Sequence, residues 1–136
     1  MVGLQALEGI QLVLVDDEPG VLRALSLLLT GLKTRVIPFS SPRDVIAYLA
    51  TNPAPDAIIS DLRMPEVNGI DLLFHLRKSG LSLPFILMSG HASSEEVTTA
   101  SEANLAAFLS KPFTPQELIQ VLLKVCPAVQ KAANAS

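Results

Sequence analysis

The residues best able to do chemistry stand directly after apolar runs of the chain. Asp16 and Asp17 follow the run QLVLV, Asp61 follows DAIIS, Ser89 follows PFILM, and Lys111 comes just after LAAFL. Clustered carboxylates repel one another unless a cation joins them. Mg²⁺ suits such a cluster because it takes hard oxygen ligands, keeps waters and commonly adds phosphate oxygens. A carboxylate can also attack phosphorus to form an acyl phosphate, so this set predicts phosphoryl transfer in which a hydroxyl and an ammonium group cover phosphoryl oxygens.

Each of these residues also has an ordinary interpretation. Asp17 can be a helix N-cap with Glu18 as a first-turn charge, and Asp61 before Met-Pro can be a turn residue. Lys111 can be a solvated lysine, and Ser89 beside a glycine can be a loop hydroxyl. These interpretations explain the residues singly, but they do not explain why all of them follow strand-like runs.

Strand-length apolar runs alternate with helix-length amphipathic segments. This alternation predicts a parallel sheet with helices on both faces, and five units favour a single doubly wound, flavodoxin-like α/β domain of strand order 2-1-3-4-5. Pro38 removes a ladder donor and places the second strand at an edge. In such sheets, ligands bind outside the carboxyl ends of the strands. The predicted strands cover residues 11–15, 34–39, 56–60, 84–88 and 105–109, and the helices cover 19–30, 41–50, 68–78, 93–103 and 115–125.

Composition narrows the function classes. The 136 residues fit one domain, and a net charge of -3 gives no basic bias for binding nucleic acid. The single cysteine, Cys126, excludes an internal disulfide and fits a reducing compartment. No apolar run approaches the roughly 20 residues of a membrane helix, and the N-terminus does not resemble a signal peptide. We therefore expect a cytoplasmic protein without membrane contact.

With these residues after its strand-like runs, the chain resembles the receiver domains of two-component response regulators, including the chemotaxis receivers. The resemblance covers about residues 10–126, so we expect a receiver domain over 1–126 and a polar tail or the start of a linker over 127–136. The motifs that carry it are VDDE at 15–18, DLRMP at 61–65, NG at 68–69, MSG at 88–90 and SKPF at 110–113.

The resemblance implies a role for each site residue. Asp61 would be phosphorylated by a histidine kinase or a histidine phosphotransfer protein. Asp17 would bind Mg²⁺ directly, Asp16 would act mainly through water, and the backbone carbonyl of Arg63 would add a ligand. The domain would not be an enzyme in the usual sense, since it would catalyse only its own phosphorylation and dephosphorylation.

The resemblance also implies a switch. Ser89 would reorient toward the phosphoryl group, Lys111 would pair with it, and Phe108 would be the aromatic residue whose rotamer follows. The Lys111–Pro112 peptide is commonly cis in such domains. The fourth helix is poor in apolar anchors, which fits an output face formed by helix four, strand five and helix five. A phosphorylation-dependent homodimer through that face is expected.

Two other classes of function are alternatives to an active receiver. A degenerate receiver that serves only as an interaction surface would not need the acidic residues, Ser89 and Lys111. A hydrolase of the haloacid dehalogenase type needs a second Asp two residues after the nucleophile, where this chain has Arg63. The sequence also lacks the GxGxxG and GxxxxGK[ST] motifs of nucleotide-binding folds.

Overall fold

The computed structural model describes residues 3–127 and 129. A short 3₁₀ helix at Leu4–Leu7, which the sequence did not predict, precedes five strands and five helices that alternate along the chain. The strands are β1 (Gln11–Val15), β2 (Arg35–Phe39), β3 (Ala57–Asp61), β4 (Phe85–Ser89) and β5 (Ala107–Ser110). The helices are α1 (Pro19–Gly31), α2 (Pro42–Thr51), α3 (Gly69–Lys78), α4 (Ser94–Glu102) and α5 (Pro115–Val125).

The five strands form one parallel sheet in the order β2-β1-β3-β4-β5. This confirms the predicted doubly wound fold. It also confirms that β2, which contains Pro38, is an edge strand, where a missing ladder donor is tolerated.

Side chains alternate across the sheet and build two apolar layers. One layer lies between the sheet and helices α2, α3 and α4, and it includes Val13, Ile58 and Leu87 of the strands. The other lies between the sheet and helices α1 and α5, and it includes Leu12 and Ile59. The inner strands are apolar on both faces because helices cover both faces.

The helices begin where the sequence predicted them to begin. The side chains of Ser41, Asn68, Ser93 and Thr114 each accept a hydrogen bond from a backbone N–H of the following first turn. The predicted capping box of Ser93 and Glu96 is present in α4, since each side chain bonds the other residue's backbone N–H. These caps fix the starts of α2, α3, α4 and α5.

The strand β1 has the predicted bounds, and the ends of the other strands lie within two residues of the prediction. Asp61 and Ser89 are the last residues of β3 and β4, not the first residues after them. Asp61 is aligned with Met88 in the ladder between β3 and β4, and the ladder continues as the Leu62 N–H donates to the Met88 carbonyl over 2.9 Å. The neighbouring strand therefore extends β3 by one residue.

Helix α4 is weakly anchored, as its composition indicated. Along its nine residues, all of them described, only Ala100 is buried. The hydroxyls of Thr98, Thr99 and Ser101 donate to the carbonyls four residues earlier, over 2.9 Å each. Such bonds lower helix stability slightly, so α4 has little apolar anchorage and modest intrinsic stability.

After α5, the structure describes three residues: Cys126, Pro127 and Val129. Cys126 is buried, and burial raises the pKa of its thiol to about 11, with the Asp56 charge adding to the shift. Val129 is buried in the same layer. Apart from Pro127 and Val129, the tail expected over 127–136 lies outside the described residues. Within the described part of the chain, none of the helices combines the length and apolarity needed to cross a membrane.

Candidate functional site

Lys111 joins two carboxylates at the carboxyl edge of the sheet. Its Nζ lies 3.1 Å from Asp61 Oδ1 and 3.4 Å from Asp16 Oδ2. These three residues come from β3, from the end of β1 and from the segment after β5. The sheet thus brings them together as predicted, and Lys111 is not a solvated lysine.

Three acids form a group that can hold a metal ion. Asp16, Asp17 and Asp61 each offer a carboxylate oxygen, and these oxygens lie within 4.8 Å of one another. Asp16 is fully buried and Asp61 is 6% exposed, whereas Asp17 is more accessible. A donor set of three carboxylates with one open side fits a hard, partly hydrated cation.

The two acids that follow β1, Asp16 and Asp17, have different surroundings. Asp16 Oδ1 accepts a hydrogen bond of 2.9 Å from the Glu18 N–H, which fixes this buried carboxylate. Glu18, not Asp17, is the N-cap residue of α1, and it makes no side-chain cap bond. The ordinary interpretation of Asp17 as a helix cap is therefore wrong, and its carboxylate is available to a ligand.

Burial and the ion pair shift the pKa of Asp61 in opposite directions, and the same is true of the pKa of Lys111. Burial raises the pKa of Asp61, and the hydrogen bond and charge of Lys111 offset only part of that rise. Burial opposes the charge on Lys111, but the hydrogen bond to Asp61 and the charges of Asp16 and Asp61 outweigh it and raise the pKa of Lys111. The lysine therefore stays protonated between the two acids.

Gly69 leaves space for the backbone at Asp61. A Cβ at position 69 would overlap the Asp61 carbonyl oxygen and would lie 2.8 Å from Leu87 Cδ1. The Gly69 N–H donates to the Leu62 carbonyl over 2.9 Å. The start of α3 is thus packed directly on the backbone that carries Asp61, for which the sequence offered only the Asn-Gly pair as a signal.

The predicted switch residues lie on β4 and β5. Ser89 is 3% exposed, and its Oγ accepts a 3.2 Å hydrogen bond from the His91 N–H. The Lys111 N–H donates to the Ser89 carbonyl over 2.9 Å, which ties the two residues together. Phe108 is half-buried and packs against the layer beneath α4. The Lys111–Pro112 peptide is cis, as expected.

Two arginines make contacts that the sequence analysis missed. The Arg63 guanidinium donates to both carboxylate oxygens of Glu96 and to the His91 carbonyl, each over 2.7 Å. The hydrogen bonds from Arg63 lower the pKa of Glu96. The backbone carbonyl of Arg63 remains a predicted metal ligand.

The second arginine is Arg77 of α3. Its guanidinium donates to four backbone carbonyls, with donor–acceptor distances between 2.8 and 3.0 Å. Two of these carbonyls belong to Ala103 and Asn104, at the end of α4, and two belong to Leu81 and Leu83, before β4. Burial lowers the pKa of Arg77. No local pattern could reveal these contacts, since they join distant segments.

The fold and the site place this chain in a known class. The sequence model of the response regulator receiver domain matches residues 12–123, and the chain belongs to that family. It is thus a receiver domain of the kind found in the response regulators of two-component systems, a class of signalling domain that works with histidine kinases in phosphorelays.

Similar proteins agree with this assignment. Response regulator protein TodT of Pseudomonas putida is 35% identical over 125 residues, which cover 90% of this chain and 54% of TodT. Transcriptional regulatory protein KdpE of Mycobacterium tuberculosis is 36% identical over 107 residues, which cover 79% of this chain and 46% of KdpE. The Vibrio cholerae chemotaxis protein CheY4 has the same fold, with a TM-score of 0.80 at 24% identity over 86% of this chain and 98% of CheY4. The chain spans about half the length of TodT and KdpE.

Proposed function

We propose that Asp61 accepts a phosphoryl group from a histidine kinase or a histidine phosphotransfer protein. The observation that carries this proposal is the position of Lys111 Nζ, 3.1 Å from Asp61 and 3.4 Å from Asp16, beside a group of three carboxylates. A lysine in this position both orients the nucleophilic carboxylate and offers a cation for the incoming phosphoryl oxygens.

The proposed step is an in-line displacement at phosphorus. A carboxylate oxygen of Asp61 attacks the phosphorus, the phosphorus–nitrogen bond of the phosphohistidine breaks, and its electron pair goes to the imidazole nitrogen. The imidazole leaves neutral when its other nitrogen carries a proton. The product is an acyl phosphate on Asp61. Attack by water on the same phosphorus would restore the carboxylate, so the domain would catalyse only its own phosphorylation and dephosphorylation.

The cofactor in this proposal is Mg²⁺. Asp17 would bind it directly, Asp16 mainly through water, and Asp61 and the Arg63 backbone carbonyl would complete the protein ligands. When bound, Mg²⁺ would neutralise charge on a phosphoryl oxygen. The balance of charge supports this set, since Lys111 supplies one positive charge to a group of three carboxylates and a cation would compensate the rest.

The surface around Lys111 is suited to a protein donor. An apolar cleft of α1 and the segment after β5 lies next to Lys111 and is lined by Val21, Ala24, Leu25, Pro112 and Phe113. A phosphohistidine on a partner must come within bonding distance of Asp61, so the partner must contact the surface next to this site. An apolar cleft there would supply contact area for it.

The signal would then leave through α4, β5 and α5. Ser89 would turn toward the phosphoryl group, and Phe108 would follow beneath the weakly anchored α4. Activated protomers would pair through this face. In this scheme, residues 1–126 act as the receiver domain, and the residues that follow act as a tail or as the start of a linker.

The test is the intact mass after incubation with acetyl phosphate and Mg²⁺, with Asp61→Asn as the control. We expect one added phosphoryl group on the wild type, and none on the control or in the presence of EDTA. Sedimentation of the phosphorylated protein would then test pairing. A wild type that takes up no phosphoryl group from acetyl phosphate or from any histidine kinase would overturn the proposal in favour of an interaction module.

A further inference from the structure

The loop between β4 and α4, residues 90–93, is held by a side chain from the segment after the neighbouring strand β3. Arg63, two residues after Asp61, makes a two-pronged ion pair with Glu96 and also bonds the His91 carbonyl, with all three distances at 2.7 Å. Arginine–carboxylate pairs of this type are geometrically specific, because two parallel bonds fix both groups. Arg63 thus joins the loop to the first turn of α4.

This loop also sets the environment of Ser89. The His91 N–H donates to Ser89 Oγ over 3.2 Å, and the His91 carbonyl is the group that Arg63 binds. The two peptide groups on either side of the His91 Cα therefore connect Arg63 to the Ser89 hydroxyl. A movement of that hydroxyl toward a phosphoryl group on Asp61 would act on this connection, because the His91 N–H bonds the same oxygen.

Apolar packing near the N-terminal end of α4 is slight, with Ala92 only partly buried against the core. Ala100 is the buried residue of the helix, and it lies in the second turn. The C-terminal end is held separately by Arg77, which bonds the carbonyls of Ala103 and Asn104. Glu96 thus carries the polar attachment of the first turn, while Arg77 carries that of the last.

We infer that Arg63 and Glu96 are positioning residues that hold the loop of residues 90–93, and with it Ser89, in the unphosphorylated arrangement. The inference rests on the proposed function of Asp61. A contact made in only one of two conformations stabilises that conformation alone. By linkage, removing it raises the affinity for any ligand of the other conformation by the same factor. Breaking the Arg63–Glu96 pair should therefore favour phosphoryl binding.

The first experiment needs neither metal nor phosphate. We expect Glu96→Gln to lower the hydrogen-exchange protection factors of the amides at positions 96 and 97, which are corrected for side-chain type, by about two- to fivefold, the range of exposed ion pairs. Gln retains the capping box with Ser93, so the change reports the ion pair and not the cap. Amides near Arg77 should keep their rates, because that attachment is separate. Unchanged protection at positions 96 and 97 would show that the ion pair does not stabilise the first turn of α4.

The second experiment measures binding of beryllofluoride, a phosphoryl analogue, by amide NMR in saturating Mg²⁺. We expect Glu96→Gln to bind it about two- to fivefold more tightly than the wild type, as linkage requires. Arg63→Lys, which keeps the charge but not the two-pronged geometry, should fall between them. The pair Arg43–Glu66, at 3.0 Å, joins α2 to the segment after β3, so Glu66→Gln should bind like the wild type.

The outcomes separate this inference from the function on which it rests. If the wild type binds no beryllofluoride and behaves like Asp61→Asn, the proposed function fails. If the wild type binds it but Glu96→Gln binds it no more tightly, or no more tightly than Glu66→Gln, the positioning role fails while the function stands.

Discussion

Replacing Gly69 by alanine should strain the junction between α3 and the Asp61 backbone. The new Cβ would overlap the Asp61 carbonyl oxygen and lie 2.8 Å from Leu87 Cδ1. A leucine methyl can rotate away, but the carbonyl belongs to β3 and is fixed by the ladder. Overpacking of this kind costs about 1–3 kcal/mol, and alanine regains at most about 1 kcal/mol of helix propensity. Because the overlap is with a fixed backbone atom, the upper end of that range applies, and we expect a net loss of about 2 kcal/mol in the free energy of unfolding.

The chain offers a matched control in Gly20. It lies in the first turn of α1, and a Cβ there would meet nothing within 4 Å. Gly20→Ala should therefore stabilise the protein by about 0.4–1 kcal/mol through the unfolded chain. The comparison keeps the chemical change constant and varies only the space around the new methyl group.

Urea unfolding followed by circular dichroism measures both variants. With a slope of about 2 kcal/mol per molar urea, the midpoint of Gly69→Ala should fall by roughly 1 M, while that of Gly20→Ala should rise slightly. If Gly69→Ala unfolds at or above the wild-type midpoint while the control behaves as expected, the steric reasoning is refuted.

Two further predictions concern charged groups. Because burial raises the pKa of Asp61 above its unfolded value, the wild type should lose stability as the pH rises from the unfolded pKa through the folded one. Asp61→Asn should therefore be the more stable protein at pH 7 in metal-free buffer, and urea titrations should show this advantage vanish below about pH 4; a constant advantage at all pH values would contradict the linkage. Arg77→Ala removes four hydrogen bonds to backbone carbonyls and should cost about 2–3 kcal/mol of unfolding free energy. The exposed Arg35→Ala should cost less than about 0.5 kcal/mol, and equal losses in the two arginine variants would show that these bonds add nothing.

Much of the fold follows from local patterns in the sequence. Apolar runs and cap residues predicted all five strands of the sheet and the five α-helices that cover it, and Pro38 predicted that β2 is an edge strand. The strand ends were less accurate, since hydrogen bonds from a neighbouring strand decide them. Asp61 illustrates this, because its place in β3 depends on its alignment with Met88 in β4.

The sequence predicted the central residues of the site but not the arginine contacts around it. The acids, Ser89 and Lys111 follow strand-like runs, so the topology alone was sufficient to bring them together. Arg63 and Arg77 were missed as side chains because their partners are remote in sequence: Glu96 lies 33 residues from Arg63, and Asn104 lies 27 residues from Arg77. Such contacts follow from packing and have no local signal. The individual roles of the site residues remain predictions.

The loose packing of α4 has an evolutionary consequence. A helix that buries one small residue can change its other side chains without opening a cavity. Arg77 of α3 holds the C-terminal end of α4 through backbone carbonyls, which any sequence provides. Substitutions on this helix can therefore accumulate at little cost to the fold. A duplicated copy of this domain could acquire a new partner there while its carboxylates and lysine stay unchanged.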